Sequence, residues 1–303
     1  LVIFIHGGGF FGGDKLLGFK KTAAIEQLLH NYVAFASINY RLLKKAPQTE
    51  SEGIKKCLFD IRRCLQVLRL NADVFNLDKP RVALWGVSAG SGAALWLAFN
   101  PNMADNSFPQ TDFRSQSTRV KAVYGQQTQA TYKLESWASD IFNNVTLNNG
   151  ATIPITLECI AKIIGENEVK SYYLIPTNPP YTAGDITDAY ANYTAANDIN
   201  LDIPDLMTLG DPPIWLESGN IKVKFPNTCC PPPSSPPLSL KNQLQHHPFH
   251  AKTLLNQAQS MNDDVPPEFR YVVRIPKLGI SGQHGLPGYS SKTAIDFLID
   301  RLA

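Results

Sequence analysis

The run Val82-Ala83-Leu84-Trp85-Gly86-Val87-Ser88-Ala89-Gly90-Ser91-Gly92-Ala93-Ala94 holds the decisive signal. Its first four residues are apolar without polar alternation, as in a strand covered on both faces. The last six are small, as in a helix pressed hard against a sheet. Between them lies Gly-x-Ser-x-Gly, a turn sharp enough to hold its serine in a strained backbone conformation costing about 1 to 3 kcal/mol. The following helix points its amino end at Ser88 and favours negative charge developing there. The string alone has little weight, but between a buried strand and a glycine-alanine helix it makes Ser88 a candidate nucleophile.

Working outward, short apolar runs alternate with amphipathic stretches. Strands are expected over Leu1 to Ile5, Val33 to Asn39, Val82 to Trp85 and Val120 to Tyr124. A long helix is expected from Ser51 to Leu70, with Leu58, Ile61, Leu65 and Leu68 on one face. Strand, helix, strand, helix implies an α/β fold with a mostly parallel central sheet, right-handed crossovers and helices on both faces. Residues 126 to 210 lose this rhythm and read as a cap-like insertion with one short helix, Leu157 to Ile164. A strand returns at Ile214 to Leu216 after Asp211-Pro212-Pro213. Residues 225 to 245, with Cys229-Cys230-Pro231-Pro232-Pro233, read as a proline-rich surface loop. A helix from Pro248 to Ser260, a strand from Phe269 to Ile275 and a helix from Ser291 to Leu302 close one domain spanning 1 to 303. No internal repeat is present.

The chain has 303 residues, 44% of them apolar and 18% charged, which rules out collagen, coiled coil and wholesale disorder. The 28 Lys and Arg against 26 Asp and Glu advertise no nucleic-acid partner. No apolar stretch approaches the roughly 20 residues that a membrane helix needs. Five cysteines are sparse and odd in number. Cys57 and Cys64, about 10 Å apart along one helix, cannot bridge each other, and the set reads as mostly reduced. The opening strand starts with neither methionine nor cap, so upstream sequence is expected, and the compartment stays open.

His6-Gly7-Gly8-Gly9-Phe10 follows the first strand. Acyl transfer passes through an oxyanion that needs donors already aimed at it, and glycines let backbone N–H groups face a pocket. The amides of Gly7, Gly8 and Ala89 are the expected donors, with His6 orienting the loop. A phosphate cradle is disfavoured because the lysine and serine it requires do not follow. The base is expected in Ser281-Gly282-Gln283-His284-Gly285, where His284 follows a late strand and its near-neutral pKa lets one group take and return a proton. His246, His247 and His250 form a second cluster. Zinc is possible there on spacing, but adjacent carboxylate or paired thiol ligands are lacking, and the start of a helix suits them better. No metal or cofactor is expected.

These motifs in this order, with Asn39-Tyr40-Arg41-Leu42 and Asp60 between them, resemble the α/β-hydrolase superfamily. The likeness is to its HGGG-bearing esterase/lipase branch, which includes hormone-sensitive-lipase-like and feruloyl-esterase-like carboxylesterases. It covers nearly the whole chain and is strongest over 1 to 100. It implies Ser88 as nucleophile, His284 as base, oxyanion donors at Gly7, Gly8 and Ala89, and two customary strands missing ahead of residue 1. It also implies a triad acid near Lys222, where the charge is wrong, and from Ser218 to Asn262 there is no Asp or Glu. Glu217 is the first substitute, then Glu135 or Asp140, and Asn220 could orient the imidazole without charge. The expectation is a metal-free serine hydrolase of small carboxylic esters. Tyr172, Tyr173, Tyr181, Tyr190 and Tyr193 are either pocket lining or packing, and Trp85 and Trp96 are core. The rivals are a non-catalytic binding relative, which the missing acid favours, and a peptidase of the same fold.

Overall fold

The computed structural model describes residues 1–44, 49–218, 222, 224–227, 230, 238–261, 271–274, 278, 283–284 and 292–303; of 271–273 and 283–284 only the backbone is described. The strands are β1 (Val2–Ile5), β2 (Phe35–Ile38), β3 (Ala83–Val87), β4 (Ala122–Gln126), β5 (Val145–Thr146), β6 (Thr152–Ile153), β7 (Ile214–Glu217), β8 (Tyr271–Arg274) and β9 (Gln283–His284). The helices are α1 (Leu16–Phe19), α2 (Thr22–His30), α3 (Ile54–Leu70), α4 (Ala89–Phe99), α5 (Leu134–Ser136), α6 (Leu157–Ile164), α7 (Glu166–Tyr173), α8 (Ala183–Asn197), α9 (Ile203–Leu206), α10 (Leu238–Gln245), α11 (Pro248–Ser260) and α12 (Ala294–Leu302).

The main sheet has the order β2-β1-β3-β4-β7-β8-β9. Each neighbouring pair is parallel except β8 and β9. Alternation sends Ile3, Ile5, Leu84, Val123, Ile214 and Leu216 into one buried cluster, which includes residues of α3 and α4. Val2, Phe4, Ala83, Trp85, Ala122, Tyr124 and Trp215 enter the other, with Leu28 of α2 and Phe297 and Leu298 of α12. Both faces are therefore covered, which is why these strands carry no polar alternation. Among the described residues no helix is long and apolar enough to cross a membrane.

Two stretches differ from the sequence expectation. Between β4 and β7 the chain forms α5, α7, α8 and α9 as well as α6. Helix α8 starts with a Thr182–Asp185 capping box, yet it buries only Ile186, Ala189 and Tyr193 and is rich in Tyr, Thr and Asn, which are weak helix formers. Within 225–245, residues 231–237 lie outside the described set, while 238–245 are helix α10, which buries Leu240, Gln243 and Leu244. That part is not a surface loop, because leucines four apart give it a core-facing side.

The reading of the cysteines as mostly reduced is also corrected: Cys159 on α6 is bonded to Cys230, 71 residues away, while Cys57 and Cys64 are free. Closing so long a loop restricts the unfolded chain, so changing both bonded cysteines to serine should lower unfolding free energy by about 4 kcal/mol. Denaturant melts of the double variant against the oxidised parent measure this, and equal midpoints would show that the bond constrains nothing.

Candidate active site

Strands β1 and β3 are neighbours, so the loops leaving their carboxyl ends lie side by side. Ser88 follows β3 directly and caps α4 with φ 56° and ψ −124°. Its N–H donates to the Gln126 carbonyl at 2.8 Å, and its own carbonyl accepts from the amides of Ser91 and Gly92 at 2.8 and 3.2 Å. The turn thus has partners on both sides that keep it in a left-handed conformation which L-residues otherwise avoid. Close approach dictates its glycines. A Cβ on Gly90 would stand 2.3 Å from the Ile5 carbonyl oxygen, and one on Gly7 would stand 2.8 Å from Ser88 Cβ. Gly7 therefore lies directly against the serine.

The His6 ring turns away from this point. It stacks on Tyr40 with ring centroids 4.3 Å apart, and its Nδ1 lies 2.8 Å from the Gly7 carbonyl oxygen. Tyr40 Oη in turn donates to the His6 carbonyl at 2.9 Å. Burial is the main cause that lowers the His6 pKa. This is the loop-orienting part expected of it.

The imidazole facing Ser88 belongs to His246, one residue beyond α10: Nε2 lies 2.6 Å from Ser88 Oγ. On the far side of the ring Nδ1 donates to Asn242 Oδ1 at 2.7 Å. A proton on Nδ1 leaves the Nε2 lone pair free to accept from the serine hydroxyl. Desolvation lowers the His246 pKa to about 4, so the ring is neutral at pH 7. The other two histidines of the cluster have different work. His247 caps α11 by accepting from the Phe249 amide at 3.3 Å. His250, fully buried, accepts from the Ala130 amide on Nδ1 at 3.2 Å and donates from Nε2 to the Leu244 carbonyl at 3.1 Å. Burial holds its pKa down at about 3.

Ser88 and His246 open into a cleft of about 770 Å³. Its lining includes Gly7, Gly8, Phe11, Leu17 and Val87 together with Glu168, Tyr172, Lys241, Asn242 and Gln245. Lys241 is paired with Glu168 across it. Of the five tyrosines singled out in the sequence, Tyr172 alone is among the residues lining this cleft; its hydroxyl donates to the Gly9 carbonyl at 2.9 Å. Tyr173, Tyr181 and Tyr193 are buried in packing, and Tyr190 packs against the same cluster.

The remaining expected residues fall elsewhere. The His284 backbone is on β9, opposite Tyr271 at the amino end of β8. Strand β9 is the fourth neighbour from β3, which at about 4.8 Å per strand separates them by roughly 19 Å. Ser88, by contrast, follows the carboxyl end of its strand, so this structure does not bring His284 to the serine. The antiparallel pairing of β9 with β8 is the reason. Glu217 is also displaced: Oε2 accepts from Tyr124 Oη at 2.7 Å and Oε1 from Trp215 Nε1 at 2.9 Å. Those partners hold it on the sheet face covered by α2 and α12, in a second cleft with Trp85 and Arg274. Glu135 and Asp140 are exposed, and Asn220 lies outside the described residues. Sequence reasoning missed Asn242 and His246; their one local signal is the four-residue spacing that stacks two side chains on one helix face.

A parallel sheet in this order, with a serine elbow between its third strand in sequence and the next helix, defines an α/β-hydrolase. Residues 1–146 match the model of the BD-FAE family, a family of α/β-hydrolase-type esterases, and this likeness supports a carboxylesterase-like enzyme. Two solved structures share the fold. One is a truncated carbohydrate esterase from gut microbiota, 16% identical, TM-score 0.52, with 99% of this chain and 85% of that one covered. The other is a bifunctional GH43-CE protein of Bacteroides eggerthii, 16% identical, TM-score 0.53, with 100% of this chain and 34% of that one covered. No curated protein matches the sequence.

Proposed function

We propose that the protein hydrolyses small carboxylic esters through an acyl-enzyme on Ser88, with His246 as the base. The observation that carries this reading is the 2.6 Å contact between Ser88 Oγ and His246 Nε2 at the base of an open cleft. Oγ attacks the ester carbonyl while its proton passes to Nε2, and the imidazolium returns that proton to the departing alkoxide. Water then takes the place of the serine and releases the acid.

The oxyanion is assigned to the amides of Gly7, Gly8 and Ala89. Gly7 touches Ser88, and Gly7 and Gly8 both line the cleft. Ala89 opens α4, where first-turn amides have no acceptor within the helix. Each well-aimed donor is worth about 3 to 4 kcal/mol of barrier. The helices between β4 and β7 act as the cap, with Glu168 and Tyr172 of α7 as their contribution to the substrate wall.

A fluorophosphonate probe tests the mechanism. It should label the folded protein once, on Ser88, and block hydrolysis of p-nitrophenyl acetate and butyrate. Failure to label Ser88 would remove the serine mechanism. Preference for anilide or peptide substrates over these esters would make the protein a peptidase of the same fold.

A further inference from the structure

We propose that Asn242, a neutral amide, is the positioning residue for the His246 imidazole and fills the place that a carboxylate holds in a Ser-His-Asp triad. This rests on Ser88 and His246 being nucleophile and base. Asn242 and His246 are four residues apart at the carboxyl end of α10, so one side chain stands over the other. The Nδ1–H donates to Oδ1 at 2.7 Å, and on the opposite edge of the ring Nε2 meets Ser88 Oγ at 2.6 Å. One hydrogen bond therefore sets both the ring plane and the tautomer that the reaction needs.

An amide oxygen can accept this bond in the same geometry as a carboxylate, but it brings no negative charge and holds the donor less strongly. During acylation the Ser88 O–H bond breaks, the Oγ–carbonyl carbon bond forms and the proton moves to Nε2. Asn242 accepts from Nδ1–H throughout and neither gains nor loses a proton. The new positive charge on the ring is balanced only in part. The carboxyl end of α10 offers its partial negative charge, worth about 0.3 to 1 kcal/mol near a surface. The titratable side chains around it add little. Glu168 of α7 is tied to Lys241 of α10, Tyr172 of α7 is buried, and His250 of α11 is held neutral by its two backbone hydrogen bonds, with His247 before it as the helix cap. Glu217 is committed to Tyr124 and Trp215, and no acidic residue occurs from Ser218 to Asn262. The site holds its imidazole in place but leaves it a weak base, in keeping with the burial that lowers its pKa.

The test is a pair of variants in the full chain, read as kcat, KM and the pH profile on p-nitrophenyl butyrate, with fluorophosphonate labelling alongside. Asn242 is exposed, so its replacement leaves the core untouched. Asn242→Ala should lower kcat about tenfold with KM within about twofold, because orientation and not substrate binding is lost. Asn242→Asp should raise kcat about tenfold and move the acid limb of the profile upward by about one pH unit, since a carboxylate stabilises the imidazolium. A merely structural side chain would give neither the gain nor the shift. If both variants keep the parent kcat and acid limb while Ser88 is still labelled, Asn242 positions nothing and the esterase reading stands. Absence of labelling in the parent protein would overturn the reading and the positioning role together.

Discussion

Replacing Ser88 with alanine is expected to cut ester turnover by about 10⁴-fold, and replacing it with glycine should do the same while making the protein more stable than the alanine variant. The rate term follows from how triad members act as a unit. In a site with a full triad, loss of the serine costs roughly 10⁶-fold, whereas loss of the acid alone costs roughly 10⁴-fold of the same total. A site oriented by an amide starts below the full-triad rate and has less to lose, so the drop lies between about 10² and 10⁶. Its size measures how well Asn242 serves. Adding His246→Ala to Ser88→Ala should cost nothing more, because either change alone already dismantles the unit. The stability term has a different origin. Residue 88 is held at φ 56° and ψ −124°, which any L-residue adopts only at a cost of about 1 to 3 kcal/mol. Glycine escapes that cost but loses about 0.5 to 1 kcal/mol through the freedom of its unfolded chain. The balance favours glycine over alanine by about 1 kcal/mol, or roughly 2 °C in Tm for a protein of this size. Both variants lose the bond to His246, so their comparison isolates the backbone. An alanine variant that melts above the glycine variant would mean that the elbow stores no strain.

Much of this architecture could be read from the chain because the signals were local. The strand Val82 to Trp85, the turn around Ser88 and the alanine-rich helix follow one another within twenty residues, and the glycines after β1 are adjacent to the strand that aims them. Helices α6 and α11 have the bounds expected of them, Leu157–Ile164 and Pro248–Ser260, because Thr156 caps the first and Pro248 opens the second. What could not be read depends on pairing across long separations. Cys159 and Cys230 find each other only once α6 and the segment ahead of α10 are packed together. Helix α8 intersperses its alanines with Tyr, Thr, Asn and Asp, buries few side chains, and is held by contacts such as the 2.7 Å bond from Tyr193 Oη to the Glu52 carbonyl. The base is the clearest instance. Glycine flanks and a preceding strand made His284 look suited to the task, while His246 looked like the start of a helix. Nothing local reports that His246, separated from Ser88 by 158 positions in sequence, is brought to it.

The contrast between these two histidines leads to the second large effect. His246→Ala should lower kcat by about 10⁴-fold, comparable to loss of the serine, because removing the base leaves the hydroxyl with no acceptor at the moment of attack. His284→Ala should stay within about threefold of the parent, since its backbone is held on β9 at the opposite end of the strand direction from Ser88. The pH dependence provides an independent check. With its pKa near 4, the His246 ring is already neutral at pH 5, so kcat/KM should hold down to about pH 5 and fall as the ring protonates around pH 4. An ordinary solvated histidine would place that fall near 6.5. Stability should move in the same direction. His246 and His250 both have folded pKa values below the unfolded value, so the unfolded chain binds more protons between about 4 and 6.5 and stability falls as pH drops through that window. Burial acts the other way on Asp211, raised to about 6, and on Asp202, so the folded chain takes up those protons first, while His6, also lowered by burial, adds to the histidine side. Low-pH assays must therefore be run with a parallel melt, so that loss of the base can be told from loss of the fold. The reverse pattern, an inactive His284→Ala beside an active His246→Ala with an acid limb near 6.5, would move the base to the segment around β9 and make the contact between His246 and Ser88 irrelevant to turnover.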